Sequence, residues 1–263
     1  MAEQPAKVAV LKKSPKIVST SESVTARSLA VLAAFENSSG ALSVARIAQR
    51  AHLPVSTTYR LVHELETWGA LDKNVDGKYQ VGMRIWELGQ LAGLRLRDRR
   101  ARPFLQDLFD LTHENVHMAV RQGAQALYVD KIYGSRKVPV VSRVGGRLPL
   151  HATAVGRVLL AAEPKWFIDA YLDKELEAPT MKTMIDRTEL SQAIKQTADQ
   201  GYSIAIEQMR VGACSVAVPL IVDGQTVASI GLVLEAHRSG EIKRLLPMLQ
   251  GTVDRIQKAL SAR

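Results

Sequence analysis

The chain has 263 residues, of which 46% are hydrophobic and 23% are charged, and its formal net charge is +9. This composition excludes collagen-like, low-complexity and wholly disordered chains, and the length allows two domains with cores of their own. A single cysteine excludes an intrachain disulfide, and because the chain has neither a signal-peptide core nor an apolar run of about 18 residues, it predicts a cytoplasmic protein without membrane contact.

The positive charge lies mainly towards the N-terminus. Residues 1–100 hold 15 basic and 9 acidic side chains, whereas the rest of the chain holds 20 and 17. A polyanionic partner at that end would explain the excess. A solvated face with a basic tail would explain it equally well.

The first 22 residues carry four lysines and few large apolar side chains, which predicts a flexible basic tail. From Ser23 the pattern changes, because Val24, Leu29 and Leu32 recur near helical spacing. The turn signal at residues 38–40 ends this first predicted helix.

Two further helices are predicted close behind. One runs from an N-cap at Ser43 to Ala51, before Pro54 disfavours its continuation. The other begins at Ser56 and ends at Trp68, before a glycine. Two helices joined by so short a turn are typical of the helix-turn-helix motif.

The second of these helices begins with the run Ser-Thr-Thr-Tyr-Arg at residues 56–60. Short hydroxyl side chains and free N–H groups at a helix start can bond phosphate oxygens, and Arg60 is long enough to reach a guanine edge or a phosphate. The alternative is ordinary capping, since Ser and Thr cap helices in all classes of protein.

A predicted hairpin follows the helix pair. Strand-like segments at residues 71–73 and 78–81 flank an Asp-Gly turn signal. The order helix, helix-turn-helix and hairpin predicts a winged helix. Lys73 and Lys78 of the wing are placed to lie over the phosphate backbone, where they would add affinity without sequence choice.

Residues 83–102 are predicted to form a linker helix with Leu88 and Leu91 on one face and arginines near its far end. We place the start of a second domain near Pro103, with a first helix over residues 104–112.

The second domain mixes strands and helices. Alternating apolar residues predict a β-hairpin around Gly123 and another around residues 223–224, with further strand character at residues 138–141. Helical segments are predicted at residues 153–162, 164–172, 188–200 and 241–260. This order predicts an α+β sensor-type domain.

Short motifs in both halves of the chain carry a family resemblance. They lie at residues 27–29, 53–61 and 78–82, and in the second half at residues 143–145, 149–156 and 214–219 together with Glu207. In this order they resemble the IclR family of bacterial transcriptional regulators over nearly the whole chain after the tail. The resemblance implies a DNA-binding winged helix joined by a linker helix to a GAF-like effector-binding domain. It also implies a homodimer or dimer of dimers, and an effector that is a small organic acid or an aromatic catabolite.

The resemblance further implies an effector pocket at the turn and helix start after the Pro-Leu-His motif and at the strand that bears the cysteine. A helix start there presents free N–H groups that can hold a carboxylate, although Thr153 could simply cap a structural helix. The implied lining residues are His151, Ala154, Val155, Ile204, Gly212, Cys214, Gly231 and Val233.

The sequence departs from family members that bind very small keto acids. Where those members have an acidic residue and two serines, the alignment places Ile204, Gly231 and Val233, and the usual glycine before the cysteine falls one position late, at Gly212. These replacements remove polar partners and leave an apolar wall. We therefore expect a larger effector, an aromatic or otherwise partly apolar carboxylate. The alternative for Cys214 is an ordinary buried small residue, and nothing beside it in the sequence favours a reactive thiolate.

A competing interpretation comes from residues 113–117, which spell the zinc-peptidase motif HExxH. That chemistry needs His113 and His117 on one helix face, yet the apolar alternation that begins at Val116 puts His117 on a strand. We therefore expect both histidines to be surface or hairpin residues, with no metal, no catalytic residues and no cofactor.

The sequence thus predicts a regulator rather than an enzyme, a repressor of aromatic catabolism that binds a pseudo-palindromic operator in the bacterial nucleoid. A third interpretation assigns the basic half to protein contacts, and the salt dependence of binding would distinguish the two. The predicted DNA contacts are Arg27, Arg46, Ser56, Thr57, Thr58, Arg60, Lys73 and Lys78.

Overall fold

A computed structural model describes residues 23–36, 38, 40–91, 100–133, 138 and 142–261. Described residues up to Leu91 belong to one compact unit, and those from Arg100 onward belong to a second. The predicted tail, the linker arginines at 95–99 and most of the predicted strand at 138–141 lie outside the described residues. Within the described part, no helix is long and apolar enough to cross a membrane.

The N-terminal unit contains four described helices and one hairpin. The helices are α1 (Val24–Ala33), α2 (Val44–Ala51), α3 (Val55–Thr67) and α4 (Met83–Leu91), and the strands are β1 (Leu71–Lys73) and β2 (Tyr79–Val81). β1 and β2 pair antiparallel, as the Asp-Gly signal predicts.

Local chemistry fixes the helix ends of this unit. The predicted N-cap at Ser43 is confirmed, since its hydroxyl accepts a hydrogen bond from the Arg46 N–H. α2 ends at Ala51, and His52 caps it in the left-handed conformation with φ 55°. α3 begins at Val55, one residue earlier than predicted, directly after Pro54.

The core of this unit joins its helices to the wing. Val31, Ile47 and Leu61 are buried together with Leu71 and Tyr79 of the hairpin. The main chain of Tyr79 also exchanges two hydrogen bonds of 2.8 Å with Leu42, just before α2. The wing is therefore bonded to the helix-turn-helix through both its side chains and its backbone.

The C-terminal unit is built on a six-stranded antiparallel sheet with the order β5-β4-β3-β8-β7-β6. The strands are β3 (Asn115–Gln122), β4 (Gln125–Ile132), β5 (Arg147–Pro149), β6 (Ser203–Ile206), β7 (Ala213–Val222) and β8 (Gln225–Glu235). The helices are α5 (Ala101–Thr112), α6 (Ala154–Ala161), α7 (Lys165–Leu172), α8 (Arg187–Gln200) and α9 (Ile242–Ser261), and a 3₁₀ helix covers Ala236–Glu241. This arrangement confirms the predicted α+β class.

The two faces of the sheet carry different side chains. Large residues such as Val216 and Leu232 face α5 and α9, whereas small residues such as Ala119 and Ala217 face α6. Strand alternation produces this difference, because successive residues point to opposite faces. The small-residue face leaves space in front of the sheet at the start of α6.

One predicted boundary differs from the structure. α5 already begins at Ala101, inside the predicted linker helix, and Pro103 lies in its first turn. A proline is tolerated there because the first-turn N–H groups have no intrahelical partner. The sequence does not predict β5, β6 and the 3₁₀ helix, since segments of three to six residues show too few periods of any pattern.

Candidate functional site

The exposed face of α3 is the first candidate surface. Ser56 and Arg60 are exposed on it and Thr57 is partly exposed. No acidic residue lies in the first turn, so nothing there offsets the positive end of the helix dipole. These features suit an anionic partner such as a phosphate backbone.

The predicted contact at Thr58 is wrong. Thr58 is fully buried, and its hydroxyl donates to the carbonyl of Pro54 at 3.0 Å. Residues three and four positions apart share a helix face, and Thr58 lies on the face of the buried Leu61 and Val62. The side chain belongs to the core and cannot reach DNA.

Tyr59 takes the exposed place that the sequence assigns to Thr58. It is 64% exposed and lies between Ser56 and Arg60 on the outer face of α3. Helical periodicity could have found it, because it stands three residues after Ser56 and one after a core position.

The wing presents both of its predicted lysines to solvent. Lys73 ends β1 with its ammonium 5.7 Å from the centre of the Tyr79 ring, and Lys78 immediately precedes β2. The side chain of Asn74 shapes the turn between them, since its carbonyl oxygen accepts from the N–H groups of Asp76 and Lys78. Of the remaining predicted contacts, Arg46 is exposed on α2 and Arg27 is half-buried on α1.

The second candidate site is a pocket in the C-terminal unit. The start of α6, the small-residue face of the sheet and residues 208–210 enclose it. Five predicted lining residues border it, namely Ala154, Val155, Cys214, Gly231 and Val233. Apolar residues form most of its wall, and among the described lining residues Arg210 is the one that is exposed.

Three predicted lining residues lie elsewhere. Ile204 packs on the α5 and α9 face of the sheet, so its neighbour Ala205 borders the pocket instead. The imidazole of His151 is engaged by the Tyr171 hydroxyl and the Glu177 carbonyl, each at 2.8 Å. Gly212 lies outside the lining, with its N–H donating to Glu207.

Cys214 borders the pocket, but its thiol does not face it. The side chain packs in the core on the opposite face, and Sγ donates to the Glu235 carbonyl at 3.5 Å. Burial raises the pKa of the thiol to about 11. A protonated, enclosed thiol of this kind is a poor nucleophile, as the sequence predicts.

Hydrogen-bond donors cluster at the start of α6. Thr153 is the N-cap, and its hydroxyl accepts from the Gly156 N–H at 3.0 Å. The N–H groups of Ala154 and Val155 have no intrahelical acceptor, and both residues line the pocket. Thr153 therefore caps the helix while the remaining first-turn donors lie at the pocket wall.

The sequence predicts His117 to be a strand residue, at the surface or in a hairpin. It does lie on β3 of the β3–β4 hairpin, but it is buried and lines the pocket. Burial, with a contribution from Lys131, lowers the pKa of its imidazole to about 3, so the ring is neutral at physiological pH. The Ser142 hydroxyl lies 3.4 Å from the ring nitrogens. Pairing opposite Gly231 on β8 places His117 on the α6 face of the sheet.

The other residues of the HExxH motif lie on different elements. His113 ends α5 in the left-handed conformation and is exposed. Glu114 is buried and pairs with Arg238 at 2.7 Å. The two histidines thus do not share a helix face, and within the described residues no three His, Cys, Asp or Glu side chains are grouped as metal ligands.

Residues 207–212 form the segment beside the pocket, and neighbouring side chains hold it in place. The hydroxyls of Thr180 and Thr183 donate to the carbonyls of Glu207 and Gln208 at 2.7 and 2.6 Å. An ion pair with Lys182 and the Gly212 N–H lower the pKa of the Glu207 carboxyl. Glu207 itself adopts φ 55°, a conformation that is uncommon outside glycine.

Comparisons with known proteins match both units. A family model described as bacterial transcriptional regulator IclR C-terminal matches residues 91–258, and one described as IclR helix-turn-helix domain matches residues 24–74. The regulator XynR of Escherichia coli K12 is 33% identical over 202 residues, which cover 74% of this chain and 78% of XynR. The Pca regulon regulatory protein of Pseudomonas putida is 33% identical over 233 residues, which cover 85% of this chain and 79% of that protein.

Solved structures of IclR proteins also match most of the chain. An IclR homolog from Microbacterium hydrocarbonoxydans, solved in complex with 4-hydroxybenzoate, matches with a TM-score of 0.86 and 29% identity over 92% of this chain and 100% of its own. The Thermotoga maritima IclR matches with a TM-score of 0.73 and 27% identity over 89% of this chain and 97% of its own.

Proposed function

The chain belongs to the IclR family of bacterial transcriptional regulators, and from this premise we propose that it represses an operon of aromatic catabolism under the control of a partly apolar carboxylate. The DNA-binding winged helix reads the operator, and the pocket of the C-terminal unit binds the effector. One relative supports this choice of effector, namely the structurally similar homolog that was solved with 4-hydroxybenzoate.

The composition of the pocket carries the effector half of the proposal. Apolar side chains, including Leu148, Val155 and Val233, can enclose a hydrocarbon portion, while the first-turn N–H groups of α6 can bind a carboxylate. In the part of the chain that the structure describes, the lining contains Arg210 and no acidic residue. A ligand with an apolar body and one anionic group satisfies both parts of this wall.

The size of the pocket predicts how such a ligand would fit. The pocket is partly open to solvent, and its cavity volume is about 50 Å³. A cavity known to bind benzene measures about 150 Å³, so this space alone is too small for an aromatic ring. A ring-sized ligand therefore also occupies the open side of the pocket, in contact with residues 208–210.

The exposed residues of α3 and of the wing support the proposal that the N-terminal unit binds DNA. In our proposal Ser56, Thr57 and Arg60 enter the major groove, and Lys73 and Lys78 contact the phosphate backbone. Arg27 and Arg46 would add further contacts from α1 and α2.

An exposed apolar face supports assembly into a homodimer or a dimer of dimers. Met83, Trp86 and Leu91 of α4 are each more than half exposed. A second copy would cover such a face, and a two-fold pair of winged helices would read a pseudo-palindromic operator.

A gel-shift titration tests the proposal as a whole. The purified full-length protein is mixed with the intergenic DNA beside its own gene, and the titration is repeated with benzoate, 4-hydroxybenzoate, phenylacetate, glyoxylate and pyruvate. We expect a specific shift that an aromatic acid alters and that the two oxoacids do not. A response to the two oxoacids alone would contradict the proposed effector class. If no DNA fragment is shifted at low salt, the proposal that the protein binds DNA is wrong.

A further inference from the structure

Arg157 of α6 is a buried cation whose described partners are all neutral. Only 2% of its surface is exposed, and its guanidinium donates to the Ser203 hydroxyl at 3.0 Å, to the Gln208 side-chain oxygen at 2.8 Å and to the Ile204 carbonyl. No carboxylate of the described residues forms an ion pair with it. Burial lowers the pKa of Arg157 to about 10, which leaves it protonated at neutral pH.

The contact with Arg157 fixes the orientation of the Gln208 amide. A guanidinium has only donors, so the amide atom that faces it must be the oxygen. The Nε2 group of Gln208 is consequently turned away from Arg157. Gln208 lines the pocket, and none of the described residues accepts a hydrogen bond from its Nε2.

The backbone at Gln208 is also held in place, because its carbonyl accepts from Thr183 and the preceding carbonyl accepts from Thr180. The adjacent acidic residue, Glu207, is already paired with Lys182 and the Gly212 N–H. The charge of Arg157 thus lies directly behind a fixed donor at the edge of the pocket. Donors polarised by a charge form stronger hydrogen bonds with anionic acceptors.

We propose that Gln208 determines the specificity of the pocket for acids: its amide, oriented by Arg157, donates through Nε2 to the carboxylate of the effector. The buried charge of Arg157 then favours a carboxylate over a neutral group of the same shape. This assignment rests on the proposed effector class and adds to it the residue that distinguishes an acid from its amide.

The test compares three acids with their neutral amides by calorimetry on the full-length protein. The acids are benzoate, 4-hydroxybenzoate and phenylacetate, and the variants are Gln208→Met, which removes the donor, and Gln208→Glu, which presents a carboxylate. Gln196→Glu on the exposed face of α8 adds the same charge away from the pocket and serves as the control.

We expect the wild type to bind at least one acid about tenfold or more tightly than its amide. Gln208→Met should weaken binding of that acid about tenfold to a hundredfold and bring it close to the amide, since a hydrogen bond to a charged group is removed. Gln208→Glu should weaken it further. Its thermal midpoint should nevertheless exceed that of Gln196→Glu, because Arg157 acquires an ionic partner.

The outcomes separate the two proposals. If the wild type binds none of the acids, the effector class is wrong and this assignment fails with it. If the wild type binds an acid and Gln208→Met binds it as tightly, with the same preference over the amide, the assignment alone is wrong. A midpoint of Gln208→Glu no higher than that of the control would show that the Arg157 charge is already balanced and would likewise overturn it.

Discussion

Arg60 is the one long cation on the outer face of α3 in the proposed DNA surface. It follows Tyr59, which in turn follows the buried Thr58. The hydroxyl of Thr58 donates a hydrogen bond to the carbonyl of Pro54 and so holds the start of the helix in place. Because the core face of α3 is fixed by Thr58, Leu61 and Val62, the side of the helix that Arg60 occupies is fixed as well. An arginine so placed can bond a guanine edge with two parallel hydrogen bonds.

We predict that Arg60→Ala weakens binding to the operator by about 1–3 kcal/mol and changes binding to random DNA much less. Titrations of both DNAs at one salt concentration measure the difference. Arg244→Ala, an exposed arginine of α9, serves as the matched control and should leave both affinities unchanged. An equal decrease on both DNAs would mean that Arg60 touches only phosphate.

At the scale of elements, the first turn of α6 packs so closely against the backbone of Leu150 that only glycine fits at position 156. A Cβ at Gly156 would clash with the backbone of Leu150 and the hydroxyl of Thr153. Since this turn of helix carries the donors at the pocket wall, the fit of the helix against residue 150 sets where those donors lie.

Gly156→Ala should therefore lower the free energy of unfolding, by about 1–3 kcal/mol. The same change at Gly251 of α9, where a Cβ meets nothing within 4 Å, should raise it by about 0.5–1 kcal/mol because alanine favours helix. Chemical denaturation of both variants measures the pair. Equal effects at the two glycines would show that the contact at residue 150 does not constrain α6.

The sequence predicts elements with several periods or a strong turn signal, such as α3 and the hairpin at residues 223–224. The sequence does not determine which of two neighbouring residues on a short strand faces a given side of the sheet. The prediction places Ile204 in the pocket, where Ala205 lies instead, because a slip of one position exchanges the two faces of a sheet.

Contacts between distant segments could not be predicted either. The alternation around His117 indicates a strand but not its neighbours, and only the pairing with β8 puts this residue behind α6. Gln208 carries no signal of its own in the sequence, because its role depends on Arg157, which is 51 positions away along the chain. No periodic pattern in the sequence indicates a contact between two residues so far apart along the chain.

For the whole molecule, the proposed homodimer doubles every contact with DNA. Replacing a lysine that neutralises one phosphate in each protomer removes two such ion pairs from the complex. The slope of log affinity against log salt changes by about 0.9 for each phosphate that is no longer neutralised. The salt dependence therefore counts protomers as well as phosphates.

Lys78→Gln in the wing should accordingly reduce this slope by about 1.8 if two copies bind, with little change in sequence preference. Titrations between low and moderate salt give the slope. Lys195→Gln, an exposed lysine of α8, should not alter it. A reduction of about 0.9 would indicate that a single wing touches DNA, and no reduction would remove Lys78 from the interface.

The two unlike faces of the sheet also bear on how this protein can evolve. Large side chains under α5 and α9 form the main core, whereas the proposed ligand pocket lies on the opposite face and beside residues 208–210. Because alternate positions of the same strands serve these two purposes, substitutions that alter the ligand need not disturb the main core. If the proposed function holds, a lineage can therefore acquire a new effector through single substitutions while its scaffold remains unchanged.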